Sequence, residues 1–158
     1  MEEGKTKFNV DKSAEKRTCD GIVFDSQMEM RYYRDVLLPQ VRSGDITHYE
    51  LQKQYELQPG FTHNGLSVRP ITYVADFYIE YRDGSTAVID TKGFADSCAK
   101  MKRKMFWHKY PEIPYKWICY SKMDGGWCDY DVVQRRRSDR KWREKMEKKE
   151  KENGKKEN

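Results

Sequence analysis

No stretch of the 158 residues approaches the roughly 18 consecutive apolar positions a membrane-crossing helix needs. No basic-then-apolar leader opens the chain either, so a cytoplasmic location with reduced thiols is the expectation. Histidine is scarce: His48, His63 and His108 are scattered, and each reads as an ordinary surface or core residue. The four cysteines, Cys19, Cys98, Cys119 and Cys128, form no C-x-x-C pair, which leaves a zinc site without support. Apolar residues are sparse as well. At 37% hydrophobic against 36% charged, some part of the chain is expected to stay outside any packed core.

What is abundant is charge, and it is unevenly placed. Residues 135–158 carry 12 Lys/Arg against 6 Asp/Glu, leaving 19 basic and 20 acidic residues in 1–134. The whole positive excess therefore lies at the C-terminal end. Three arginines in a row, Arg135, Arg136 and Arg137, lead a stretch in which six of the nine residues 135–143 are cationic, suited to gripping phosphates. Beyond residue 144 the Lys/Glu/Asn run reads as solvated tail.

Residues 1–20 are polar and without periodicity, a flexible lead-in with Phe8 as a possible anchor. Ser26-x-x-Glu29 then matches a capping box ahead of a helix reaching about Val41, with Gly44 as its stop. Glu29, Tyr32, Tyr33, Val36 and Leu37 share one helical stripe, so Glu29 opens the apolar face. A carboxylate there either reaches back to the cap or needs a partner inside. Residues 45–58 read as a strand ending at Pro59-Gly60, with Gln54 and Glu50 on it, followed by a loop over 59–69.

Residues 71–92 carry the chemistry. They read as two β-branched and aromatic strands around Asp83-Gly84. A two-residue loop would pair Arg82 with Ser85 and turn Asp90 away from Asp76. A three-residue loop with Gly84 left-handed pairs Tyr81 with Ser85 and sets Asp76 opposite Asp90, and this second register is the expectation. Two carboxylates that close repel unless a cation lies between them, and a hard divalent ion suits such oxygens. Lys92 follows on the same side as Asp90. An exposed Asp-Lys ion pair is the plain alternative.

A second helix is expected over about 97–110, closed by Pro111, burying Cys98, Met101, Met105, Phe106 and Tyr110. Its other side carries Lys100, Arg103, Lys104 and Trp107, a basic stripe suited to a phosphate backbone, with Lys102 on neither stripe cleanly. Residues 113–120 read as a last strand, residues 123–127 as a Gly-rich turn, and helix resumes from about 129.

Asp76, then Asp90-Thr91-Lys92 after a hairpin, resembles the PD-(D/E)XK nuclease motif, with Ala75-Asp76 where that superfamily often has Pro-Asp. Residues 21–29, 73–77 and 90–93 together resemble small phage and prophage nuclease-like proteins and the endonuclease subunit of Tn7-type transposases, over roughly residues 6–120. The resemblance implies an α/β restriction-endonuclease-like fold, an α-β-β-β-α-β core with a mixed sheet flanked by helices on both sides, over residues 21–134. It also implies Mg²⁺, replaceable by Mn²⁺, held by Asp76, Asp90, the Thr91 carbonyl and Glu29, with Lys92 positioning the attacking water. DNA would be the substrate, a homodimer one way to act on branched DNA, and Lys102 a further contact alongside Lys100, Arg103 and Lys104. The expected activity is a Mg²⁺-dependent DNA endonuclease of phage or prophage origin, in a bacterial host cytoplasm, serving recombination, repair or processing. The competing expectations are a nuclease-like module that binds without cutting, and an RNA-directed nuclease or a transposase-type subunit that needs a partner.

Overall fold

A computed structural model describes residues 13–156, so the expected lead-in, Phe8 included, lies for the most part outside the described residues. A short 3-10 turn, Glu15–Arg17, enters a two-stranded ribbon of β1 (Thr18–Cys19) and β2 (Ile22–Val23). Ser26 then caps a helix whose regular turns are interrupted. α1 (Gln27–Tyr32) passes into a π-helical stretch, Tyr33–Leu37, before α2 (Leu38–Ser43) ends at Gly44 with φ of +75°. Pro39 has no N–H to return to the carbonyl of Asp35, so a wider turn is accommodated just before it.

β3 (Ile46–Gln58) follows, then a small hairpin of β4 (Phe61–His63) and β5 (Leu66–Val68) where sequence reading expects only loop. Asn64-Gly65, both at positive φ, make its tight turn. β6 (Ile71–Tyr81), β7 (Thr86–Thr91), α3 (Ser97–Lys109), β8 (Tyr115–Ser121), β9 (Gly126–Asp129) and α4 (Tyr130–Lys156) complete the chain. The protein is α/β, with a five-stranded mixed sheet in the order β3-β6-β7-β8-β9. Its contacts gather into two compact units, Met1–Lys116 and Trp117–Asn158, with the boundary inside β8.

In the first unit the register is the expected one. Phe77 pairs with Ile89, Tyr78 with Val88, Ile79 with Ala87 and Glu80 with Thr86. The Tyr81 N–H donates to the Ser85 carbonyl at 2.8 Å and the Gly84 N–H to the Tyr81 carbonyl at 2.9 Å, with Gly84 at φ of +83°. This closes the three-residue loop around a glycine that accepts the left-handed turn at little cost. The odd-numbered side of β6 is the buried one: Tyr73, Ala75, Phe77 and Ile79 are enclosed. Tyr32 of α1 lies 5.1 Å from the Phe77 ring, while Phe106 of α3 packs among Tyr55, Tyr73, Tyr110 and Tyr115. Within this unit α1 and α3 thus cover the same side of β6, rather than one side each.

α3 starts at Asp96, whose carboxylate accepts the Ala99 N–H at 2.7 Å, a cap the sequence reading passes over. Its buried stripe is rotated from the expected one. Phe106 is fully enclosed, Lys102 and Arg103 are half-buried, and Cys98 and Met101 are exposed. Four tyrosine rings leave room for Phe106 but none for a second row of methionines, and the stems of Lys102 and Arg103 cover the edge instead.

In the second unit β8 and β9 pair in register, Cys119 opposite Cys128 and Tyr120 opposite Trp127, and all four cysteines are free. α4 continues helical to Lys156, where the sequence predicts a disordered Lys/Glu tail; those residues are good helix formers, with Glu and Lys at i, i+4 spacing, as at Glu144/Lys148 and Glu147/Lys151. Among the described residues no helix is long and apolar enough to cross a membrane.

Candidate functional site

The β6/β7 ladder stops at Phe77 and Ile89, and the next pair, Asp76 and Asp90, is joined through side chains. The Asp76 N–H donates to Asp90 Oδ1 at 3.1 Å, while the Thr91 N–H and hydroxyl donate to Asp76 Oδ2 at 2.8 and 3.1 Å. The two strands part here. Each aspartate caps the backbone of the other strand, which draws both carboxylates into the opening.

Asp90 is 1% exposed and its second oxygen is doubly held. Lys92 Nζ lies 2.8 Å from Asp90 Oδ2, and the Tyr115 hydroxyl donates to the same oxygen at 3.1 Å. Tyr115 carries no motif, and only the packing of β8 against β7, seen where the Val88 N–H meets the Pro114 carbonyl, brings it here. Burial comes first among the influences on Asp76 and raises its carboxyl well above the usual range, with Asp90 and Glu29 adding to the rise. The Thr91 amide and Lys92 oppose this without cancelling it.

Glu29 arrives from α1. Its backbone N–H donates to Ser26 Oγ at 3.1 Å, and the Ser26 hydroxyl donates in turn to Glu29 Oε1 at 3.1 Å. One oxygen is thus tied to the hydroxyl of the cap residue. Oε2 is buried with no hydrogen-bond partner in a residue only 6% exposed. Burial pushes this carboxyl up to about 7, with Asp25 and Asp90 contributing. An orphaned buried carboxylate oxygen facing the field of another acid is an arrangement that a cation would satisfy.

Among the described residues no three His, Cys, Asp or Glu side chains form a ready-made metal-holding group. The donors that do meet are Asp76, Asp90 and the main chain of Thr91. That set fits a Mg²⁺-like ion, which needs only one or two carboxylates and fills its remaining positions with water and phosphate.

The residues expected to contact nucleic acid do not stay together as a class. Lys102 turns inward, its ammonium donating to the Thr72 carbonyl at 2.8 Å, so it braces β6 instead of facing a substrate. The Arg103 guanidinium stacks 4.7 Å over Trp107 and is half-buried, whereas Lys100 and Lys104 are exposed. In the second unit Arg135 and Arg137 are exposed, but Arg136 lies 3.5 Å from Asp124, which Arg140 also holds. Glu50 pairs with Lys53 at 2.9 Å, and Gln54 is exposed beside Val74 in the register.

No curated protein matches the chain. A family model does: residues 7–124, most of the chain and all of the site, match the family described as a protein of unknown function, DUF1064, and the chain belongs to that family.

Proposed function

We propose that the chain is a metal-dependent DNA endonuclease of the PD-(D/E)XK type, hydrolysing phosphodiester bonds. The observation that supports it most is the meeting of Asp76, Asp90 and Lys92 at the parted end of the β6/β7 ladder, where the charge of Glu29 is also felt. Asp76, Asp90 and the Thr91 carbonyl would hold Mg²⁺, or Mn²⁺ in its place, with Glu29 completing the site. When bound, the ion supplies a Lewis acid that steadies charge on the phosphate oxygens and lowers the pKa of a water.

The side chains do the rest. Asp90 is fixed by Lys92 and Tyr115 on Oδ2, which leaves Oδ1 turned toward Asp76. Lys92, about a quarter exposed, can exchange its hold on Asp90 for the attacking water or a phosphate oxygen, because Tyr115 keeps Oδ2 satisfied meanwhile. Lys100 and Lys104 offer an exposed basic side on the helix that follows the motif, and Arg135 and Arg137 a second basic surface on α4. A phage or prophage enzyme processing recombination or repair intermediates, branched DNA among them, in a bacterial cytoplasm is the setting we propose, with a homodimer supplying two cuts.

A second reading is favoured by one contact. Lys92 sits on Asp90 and not in the open, as in a nuclease-like module that grips DNA without cutting it. Purified protein incubated with supercoiled, linear and branched DNA in Mg²⁺ separates the two. The nuclease reading expects cleavage that Lys92→Ala and Asp90→Asn abolish; cleavage unaffected by Lys92→Ala refutes it, and tight DNA binding with no cleavage on any substrate supports the module. Cleavage that appears only with an added second protein would mark a transposase-type subunit.

A further inference from the structure

Gln52 stands in the interior of β3 with φ of +54°, a left-handed backbone that a residue with a side chain adopts rarely and at a cost. The register on its two sides is the same: Leu51 pairs with Phe77 and Lys53 with Ala75. The rung between them, Gln52 opposite Asp76, is missing. The strained residue of the strand is thus the one facing the aspartate of the site.

Two displacements accompany the missing rung. Because Tyr81 exchanges its backbone bond with Ser85, odd-numbered residues of β6 address β7 and even-numbered ones address β3. The Asp76 N–H belongs by that alternation to Gln52, yet it donates to Asp90 Oδ1 at 3.1 Å. Lys53, paired with fully buried Ala75, should share its side of the sheet. Its ammonium instead lies 3.6 Å over the ring of Tyr78, on the other side, and 2.9 Å from Glu50.

We infer that Gln52 is a positioning residue: its left-handed backbone removes the rung to Asp76, frees the Asp76 amide for the Asp90 carboxylate, and so holds the two acids of the site together. The purpose of that grip rests on the proposed ion-binding reading, but the exchange of hydrogen bonds does not. It is the backbone of Gln52 that acts, and a glycine should serve as well. A β-branched residue, which resists positive φ, should restore the rung and pull the Asp76 amide back toward β3.

The test compares Gln52→Gly, Gln52→Ala and Gln52→Val in the full chain. It reads the amide resonance and hydrogen exchange of Asp76 by NMR, and Mn²⁺ affinity by calorimetric titration. Gln52→Gly should leave the Asp76 amide unmoved and Mn²⁺ affinity within about twofold, while Gln52→Val should shift that amide and weaken Mn²⁺ binding by about tenfold or more, as loss of an outer-shell support does. Gln52→Ala should fall between, and carries the test if the valine variant does not fold. An Asp76 amide indifferent to all three substitutions overturns the inference, as does a Gln52→Gly variant as impaired as Gln52→Val. Absence of Mn²⁺ binding in the unaltered chain would defeat the proposed function, and the Asp76 amide would then decide the role of Gln52 by itself.

Discussion

Two aspartates, one in each unit, are held by opposite means. Asp124 accepts the Ser121 hydroxyl at 2.6 Å and lies 3.1 Å from Arg140 and 3.5 Å from Arg136. The Arg140 hydrogen bond, followed by that of Ser121, holds its carboxyl down at about 2. Asp76 has no arginine: it meets Asp90 and feels Glu29, and burial drives its carboxyl upward. The first arrangement satisfies a charge and clamps the Lys122–Asp124 turn to the helix that follows. The second leaves charge in excess, which costs stability unless something outside the chain neutralises it. On the proposed function, that difference is what distinguishes the carboxylate that braces a turn from the one that would hold an ion.

Exchanging the roles should fail in both directions. Asp90→Asn should cut Mg²⁺-dependent cleavage by on the order of 10³-fold in a plasmid-nicking assay, because both ion binding and charge stabilisation are lost. Asp124→Asn should leave cleavage within about twofold while lowering the melting temperature measured by calorimetry, since two arginines lose their shared partner. Loss of activity in the Asp124 variant at a temperature where it is folded would erase the distinction.

Acid and base should act with opposite sign on Asp124 and on Glu29, the acid whose charge adds to the rise at Asp76. Glu29 is raised from 4.5 to about 7, so between those values the folded chain holds a proton that the unfolded chain has released. Ion-free stability should therefore fall as pH rises from 4.5 through 7 and stay low above it, by up to about 3 kcal/mol for this group, and Glu29→Gln should flatten the fall in denaturant titrations. Asp124 is lowered from 3.8 to about 2, so its stabilisation is present above 3.8 and is lost as pH drops toward 2. Asp124→Asn should remove that acid limb and leave the neutral one.

The smallest effect sharpens the contrast between lysines of one helix. Lys100→Ala and Lys104→Ala should each flatten the slope of log affinity against log salt on duplex DNA by about 0.9, as expected when one phosphate contact is lost. Lys102→Ala should leave the slope unchanged and instead lower stability, because the Thr72 carbonyl loses its donor. Equal slope changes for all three would place Lys102 back among the DNA contacts.

The parts legible in the sequence are those fixed by short-range rules. Gly84 set the loop length and with it the register that carries Asp76 to Asp90, and the Ser26 cap located Glu29. What escaped depends on contacts between distant segments. Lys102 lies inward because the aromatic cluster around Phe106 fixes the rotation of α3, and periodicity alone placed Cys98 and Met101 there instead. Tyr115 reaches Asp90 through strand pairing, and the left-handed backbone of Gln52 has no local signal, since glutamine in a strand gives no warning of it. The Asp124 clamp went unread because Arg136 and Arg140 look like any other members of a basic run.

Titrating Mn²⁺ or Mg²⁺ calorimetrically into the unaltered chain and into Asp90→Asn and Asp124→Asn shows whether the Asp76/Asp90 pair holds an ion. Saturable binding to the unaltered chain, the same binding to Asp124→Asn, and at least a tenfold loss in Asp90→Asn are expected. No binding to the unaltered chain, or equal binding to all three, would contradict the proposed ion site.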